Sequence, residues 1–339
     1  MIPATMRALQ LRAYDGCLHL VEKPVPQPGP GQVLIKVAAS PVNPSDLKFI
    51  VGGYGIKKSL PVVPGLEGSG TVIAAGPGLM GKLSVGKRVG CMASEILDGT
   101  WAEYMVTEAR RAIPLNKAVT LEQGATMVVN PWTAWALLDT ARRAGHRAAV
   151  HTVAAGQLGR MLLRLGQRKN FPIIHIVRRA EQVELLNRMG ATLVLNSSEP
   201  DFDARLRESC QMHEATVAFD PVAGKMTGRV LAAMPEGSTA IVYGSLSDEA
   251  VTVRPEQFIY EGKRVEGFWL SKWVAKKGLL GRAKMAFGLQ KRLATDFQTE
   301  VRARVALVHA AEAIEAYKRE MTGGKVLIIP GCAGLLGGT

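Results

Sequence analysis

Between residues 148 and 243 one pattern repeats: a short β-branched run, a helical run, then another β-branched run. Residues 148–153, 173–177, 193–195, 216–219 and 239–243 read as strands, with helices at 161–167, 182–189, 202–210 and 226–234 between them. Strands joined this way must pair in parallel through right-handed crossovers. The middle of the chain is therefore an α/β, doubly wound sheet.

Up to about residue 120 the grammar differs. Short β-type runs at 33–39, 70–75, 88–92 and 102–107 are broken by Pro24, Pro26, Pro28, Pro30, Pro61 and Pro64. This predicts a loop-rich β domain, a distorted barrel. Beyond Gly262 come a strand at 264–268, a basic helical stretch, a helix near 310–320 and a strand at 325–329, as if the chain returned to complete its first domain. The predicted division is 1–124 with 274–339 for the β domain and 125–273 for the α/β domain. Residues 331–339 are small and glycine-rich and are expected to fray.

A chain of 339 residues can bury an ample core. Its apolar runs fall short of a membrane span: 124–138 is 15 residues and contains Asn130 and Pro131. The first 16 residues hold no apolar block of the kind a secretion signal needs. Cys17, Cys91, Cys210 and Cys332 are too scattered for a metal knuckle or a disulfide framework, which suggests a reducing, cytoplasmic setting. Lys and Arg outnumber Asp and Glu by 42 to 29, a formal charge of +13. That excess suits nucleic acid, an acidic protein partner or a phosphorylated ligand.

At the first strand-to-helix turn stands Ala154-Ala155-Gly156-Gln157-Leu158-Gly159, a G-x-G-x-x-G loop with alanine in the first place. Such a loop gives a tight turn, a glycine that admits a pyrophosphate to the backbone, and a glycine for close helix packing, with the helix N-terminus facing the anion. An ordinary strand-to-helix turn shares part of this pattern. Nineteen positions after Gly159, Arg178 and Arg179 end the second strand, where an acidic residue would bind a free ribose 2′-hydroxyl. Arginine there favours a 2′-phosphate, so NADPH is expected over NADH. Two solvated arginines opening a helix would read the same way.

With these features in place, the whole chain resembles the medium-chain dehydrogenase/reductase superfamily, whose fold is a GroES-like β-barrel catalytic domain plus a Rossmann domain. Zinc-dependent members carry a cysteine where this chain has Asn43, in Val42-Asn43-Pro44-Ser45-Asp46, and a histidine where it has Leu66, in Gly65-Leu66-Glu67-Gly68. An amide and an alkyl chain replace two of about three ligands that catalytic zinc needs. No zinc is expected. Without a Lewis acid to hold an alkoxide, the natural chemistry is hydride delivery to an enoyl thioester, an enone or a quinone. Four segments look most like mitochondrial-type 2-enoyl thioester reductases: 42–46 followed by Gly53-Tyr54-Gly55; Gly99-Thr100-Trp101; 130–134; and Gly267-Phe268-Trp269-Leu270-Ser271-Lys272-Trp273.

The resemblance implies roles. Tyr54 is the proton donor or the group that orients the thioester. Asn43 meets the nicotinamide ribose or the substrate carbonyl, or else merely fills the turn before Pro44. Thr133 contacts the nicotinamide end or caps its helix. Phe268 and Trp269 wall the nicotinamide and acyl channel, and Trp273 is left to the core. Tyr243 and Gly244, by their place at the end of the fifth strand, are expected to touch the cofactor through the backbone, and by resemblance Lys325 is a further cofactor contact. From Lys272 to Arg304 nine basic residues face Asp296 and Glu300 alone. They could meet CoA phosphates or an acidic acyl carrier protein, or form a solvated helix face. A homodimer through edge strands is also implied. Two rivals stay open: a quinone or enone reductase of the same fold, and a non-catalytic member binding nucleic acid or protein, against which the glycine loop and paired arginines argue.

Overall fold

The computed structural model describes residues 1–332. The fraying expected for 331–339 therefore lies, from residue 333 on, outside the described residues. The strands are β1 (Thr5–Leu11), β2 (Leu18–Pro24), β3 (Gln32–Pro41), β4 (Glu67–Ala75), β5 (Arg88–Met92), β6 (Tyr104–Glu108) and β7 (Ala112–Pro114). They continue as β8 (Ala148–His151), β9 (Ile173–Val177), β10 (Val194–Asn196), β11 (Ala215–Asp220), β12 (Thr239–Val242), β13 (Arg264–Gly267), β14 (Val301–Val305) and β15 (Lys325–Ile328). The chain divides into two compact units, Met1–Val129 with the residues from Met285 on, and Asn130–Lys284.

The first unit is built on a sheet of order β14-β15-β3-β4-β5-β7, with β6 also on β3, beside a β1-β2 ribbon. Side chains on a strand alternate between faces, and β3 is apolar on both. Val33, Ile35 and Val37 pack with Val72, Val89, Cys91 and Met105. Leu34 packs on the opposite side with Phe49, Trp101, Ile314 and Tyr317. The returning chain is stitched in by β15, which runs antiparallel to β3 with Leu327 opposite Pro41 and Ile328 opposite Ser40.

The second unit is a parallel sheet of order β10-β9-β8-β11-β12-β13. Helices such as Gln157–Lys169, Ala180–Arg188 and Gly224–Ala233 make its crossovers. Its central strands are almost continuously buried, as two-sided cover requires, whereas β13 at the edge is largely exposed.

Two expectations about elements change. The basic stretch to Arg304 is not helical throughout: the helices Leu270–Ala275 and Leu279–Gln290 are followed by strand β14, which carries Arg302 and Arg304. Val-Arg-Ala-Arg-Val has the two-residue period of a strand, and Glu122 clasps the Arg304 guanidinium with two 2.7 Å bonds. An unforeseen helix, Pro44–Ile50, starts directly after Asn43. Its sequence carries the signals, proline at the first helical position and Asp46 accepting from the Asn43 amide at 2.8 Å.

Candidate functional site

The second unit presents its loops at the carboxyl edge of the parallel sheet, the edge at which open α/β sheets bind ligands. After β8 the chain turns through Thr152–Gly156, and Gly156 caps the Gln157–Lys169 helix. Val153 holds φ at +56°, a left-handed value that a β-branched residue reaches only under strain of about 1–3 kcal/mol. Ala154 and Ala155 are buried, the Ala154 amide donates to Ile176 O, and the buried Arg160 donates from Nε to Ala155 O at 2.8 Å. Arg160 was not anticipated, since a basic residue one turn into a helix carries no sequence mark of burial.

The two glycines of this loop are not equivalent. A Cβ on Gly159 would lie 2.2 Å from Ala154 O, whereas one on Gly156 would approach nothing closer than Val153 O at 3.3 Å. Gly159→Ala is therefore expected to lose about 1–3 kcal/mol of stability through overpacking. Gly156→Ala should fold nearly normally, and where the loop admits a pyrophosphate as its pattern predicts, the added methyl should weaken dinucleotide binding about tenfold or more. Urea unfolding and a dinucleotide titration of both variants check this. Equal stability losses in the two would contradict it.

Beside the loop, Asp220 ends β11 fully buried. Its Oδ1 accepts from Thr152 Oγ1 (2.6 Å) and Val222 N (2.9 Å), and its Oδ2 from Ala223 N (3.2 Å) and Thr227 Oγ1 (2.6 Å). His151, the last residue of β8, shares a 2.8 Å hydrogen bond between Nε2 and the Tyr243 hydroxyl, the two rings lying nearly parallel. Burial, followed by the neighbouring His175, pushes His151 down to about 3, so its imidazole is neutral. Gly244 follows Tyr243 on this edge, and Phe268 donates its amide to Val242 O at 2.8 Å, which sets Phe268 and Trp269 just beyond β13.

Arg178 and Arg179 are exposed at the end of β9. Ser198 Oγ donates to Arg178 O at 2.9 Å, and Arg179 pairs with Glu181 at 3.0 Å. Thr133 is buried within the Val129–Arg143 helix. Trp269 is half-buried, with Lys272 5.7 Å from its ring. Trp273 is not the core residue expected: it too is half-buried, and Lys277 lies 4.4 Å over its ring.

In the first unit the structure joins two of the anticipated residues and adds two more. Lys325, 2% exposed, donates from Nζ to Asn43 Oδ1 (2.5 Å) and to Val42 O (3.1 Å). Asn43, 1% exposed, donates from Nδ2 to Glu67 Oε1 at 2.9 Å, and Glu67 Oε2 accepts from Val128 N and Val129 N. Asp46 Oδ1 accepts from Leu66 N at 2.9 Å. Burial raises the Glu67 carboxyl above its ordinary range and carries Asp46 to about 7, against the pull of these donors and of Lys325. Both Asn43 and Lys325 are thus turned into the unit's interior. Tyr54 is half-buried against the same unit's core.

This cluster also bears on zinc. At the position that zinc members fill with cysteine, Asn43 already faces an ammonium, and Leu66 offers no lone pair. These residues do not fit a zinc ion. Among the described residues no three His, Cys, Asp or Glu side chains gather to hold a metal.

A GroES-type β unit paired with a dinucleotide-type parallel sheet defines an oxidoreductase of the alcohol-dehydrogenase kind. Residues 29–117 match the family model of the alcohol dehydrogenase GroES-like domain, and residues 157–283 that of the zinc-binding dehydrogenases. The chain is 31% identical over 266 residues to the mitochondrial enoyl-[acyl-carrier-protein] reductase of Arabidopsis thaliana, a match covering 77% of this chain and 70% of that protein. The Bos taurus enzyme of the same name is 28% identical over 72% of this chain and 66% of its own length. Among solved structures, a provisionally named NADPH:quinone reductase from Mesorhizobium loti superposes with TM-score 0.91 at 38% identity, covering 97% of this chain and all of that one. A mycobacterial protein solved with NADPH superposes with TM-score 0.82 at 26% identity, covering 96% and 100%. The chain belongs to the medium-chain dehydrogenase/reductase superfamily, in its zinc-free branch.

Proposed function

We propose that this protein is a zinc-independent, NADPH-dependent reductase of the C=C bond of 2-enoyl thioesters. The observation that carries the reading is the Lys325 ammonium seated on Asn43, the residue that stands where the superfamily's zinc members carry a cysteine, so that this side chain is spent on a buried cation and not offered to a metal. The relatives named enoyl-[acyl-carrier-protein] reductase support the acceptor. A quinone or enone acceptor is the second reading, favoured by the name of the 38% identical structure.

The loop from Ala154 through Ala155, Gly156, Gln157 and Leu158 to Gly159 would hold the pyrophosphate against a helix N-terminus. Arg178 and Arg179 would grip the 2′-phosphate through charge-assisted hydrogen bonds. Thr133, Tyr243, Gly244, Phe268 and Trp269 would frame the nicotinamide end. Bound NADPH supplies the hydride that the acceptor's β-carbon takes up. Tyr54, whose phenol can donate a proton, would deliver it to the α-carbon or use it to orient the thioester carbonyl. Asn43 acts from beneath, bracing Lys325 against Glu67.

We read the enzyme as cytoplasmic, on its four scattered, unpaired cysteines; no helix among the described residues is long and apolar enough to cross a membrane. We read it as a homodimer formed along β13, beside which Phe258, Ile259 and Tyr260 are exposed. Lys272, Lys276, Lys284 and Lys291, also exposed, would meet CoA phosphates or an acidic acyl carrier protein.

An acceptor panel at fixed NADPH tests the reading. Crotonyl-CoA is expected to consume NADPH faster than a quinone or a simple enone, and the reverse order selects the second reading. Tyr54→Phe should slow crotonyl-CoA turnover about 100-fold, within the range of a lost general acid. Replacing Arg178 and Arg179 together by alanine should raise the KM for NADPH about 10- to 100-fold and leave that for NADH nearly unchanged. Absence of NADPH binding in the parent would sink the proposal.

A further inference from the structure

The pairing of His151 with Tyr243 carries a consequence for ligand binding. His151 is fully buried and neutral, so only one of its ring nitrogens bears a hydrogen. Its Nδ1 has no hydrogen-bond partner, and its Nε2 lies 2.8 Å from the Tyr243 hydroxyl. Two arrangements satisfy that contact. In one the phenol donates to Nε2 and the ring hydrogen sits on Nδ1, buried with nothing to accept it. In the other Nε2–H donates to the phenolic oxygen and Nδ1 keeps only an unmatched lone pair.

Orphaned buried N–H groups are rarer than under-satisfied acceptors, so the second arrangement is favoured. It leaves the Tyr243 proton unspent. Tyr243 follows β12 at the carboxyl edge and is partly exposed, and the nearly parallel imidazole fixes its ring. Burial holds its phenol protonated well above the ordinary range. A neutral donor pinned in this way suits a neutral acceptor better than a phosphate, which the loop N-terminus already serves.

We propose that the Tyr243 hydroxyl, oriented by His151 Nε2–H, donates a hydrogen bond to a ligand carbonyl oxygen, either the nicotinamide carboxamide or the substrate thioester. Tyr243 then contacts the ligand through its side chain as well as its backbone, and His151 is a positioning residue acting through it. The inference rests on the NADPH-dependent reading above.

The first measurement needs no cofactor. Long-range ¹⁵N–¹H correlation on protein labelled in histidine should show His151 as the Nε2–H tautomer, and an Nδ1–H tautomer would overturn the proposal, because the phenol would then be spent on His151. The second is a fluorescence titration with NADPH alone, alongside crotonyl-CoA kinetics. Tyr243→Phe should weaken NADPH binding about tenfold if the acceptor is the carboxamide. If the acceptor is the thioester, NADPH binding should hold while the KM for crotonyl-CoA rises about tenfold. Binding of adenosine 2′,5′-bisphosphate, unchanged in either case, reports that the variant is folded. His151→Phe should reproduce the Tyr243→Phe defect, and His151→Gln, whose amide can place an N–H near the position of Nε2, should restore most of the lost affinity. A folded Tyr243→Phe protein that matches the parent in both assays would overturn the assignment. Failure of the parent itself to bind NADPH would instead overturn the cofactor reading, leaving the tautomer result intact.

Discussion

Lys325→Met is expected to cost the protein about 3–5 kcal/mol, the range for removing one partner from a buried charged cluster. Methionine keeps the length of the side chain and takes away its charge and its donors. Asn43 Oδ1 and Val42 O would each lose the ammonium that now donates to them. The loss should also depend on pH. In the parent, Asp46 titrates at about 7, above its ordinary 3.8. Its contribution to stability is thus full below about pH 4 and is lost as the pH rises through 7. Glu67 is displaced in the same direction. Lys325 opposes both shifts, and without it both carboxyls would hold their protons to still higher pH, so the variant should suffer more at pH 8 than at pH 5. Urea midpoints at the two pH values measure this. A variant as stable as the parent at pH 8, or one whose deficit is the same at pH 5, would show that the ammonium does not neutralise this cluster.

What could be read in the chain beforehand was local. The strand–helix alternation from 148 to 243 marks each element within a window of a dozen residues and implies parallel pairing through right-handed crossovers, whereas the order β10-β9-β8-β11-β12-β13, with β11 returning to the far side of β8, is set by packing across the whole unit. The loop from Ala154 to Gly159 is legible because its steric demands fall on six consecutive residues. The stretch running to Arg304 misled because its charge suggested a solvated helix, although Val-Arg-Ala-Arg-Val has strand period and Glu122 stands ready for Arg304.

The site's polar wiring, by contrast, was hidden by distance along the chain. Lys325 and Asn43 are 282 positions apart, Thr152 and Asp220 are 68 apart, and His151 and Tyr243 are 92 apart. Family resemblance singles out Asn43 and Lys325, and the end of the fifth strand singles out Tyr243, each by itself. Neither could show that Asn43 and Lys325 spend their polar atoms on each other, nor that a histidine ending β8 sets the hydroxyl of a tyrosine following β12. Asp46 could be read as a helix-start residue and Glu67 as part of a glycine-flanked motif, and Asp220 only as acidic; none of these marks burial, and only burial turns an acidic residue into a hub that must gather donors.

Asp220→Ala is expected to be the most damaging change in the second unit, with a loss of roughly 4 kcal/mol or more, because four donors would lose their acceptor at a fully buried point and each stranded donor costs about 1–3 kcal/mol. Asp220→Asn discriminates this account from simple loss of volume. The hydroxyls of Thr152 and Thr227 can turn and accept from an amide NH₂. The amides of Val222 and Ala223 cannot turn, and each contacts a different carboxyl oxygen. Whichever way the asparagine is placed, one backbone N–H faces an NH₂ group, so the variant should fall between alanine and the parent. The same bonds tie Thr152, two residues before the loop from Ala154 to Gly159, to the segment at Ala223, which holds a non-glycine φ of +64°. Release of that tie should let the loop and the strained turn relax together, and NADPH affinity should fall with stability in the order Asp, Asn, Ala. Urea unfolding and cofactor titration of the three proteins give both series. An asparagine variant no better than alanine in either series would show that the hydrogen bonds to Asp220 are not what holds this edge of the sheet.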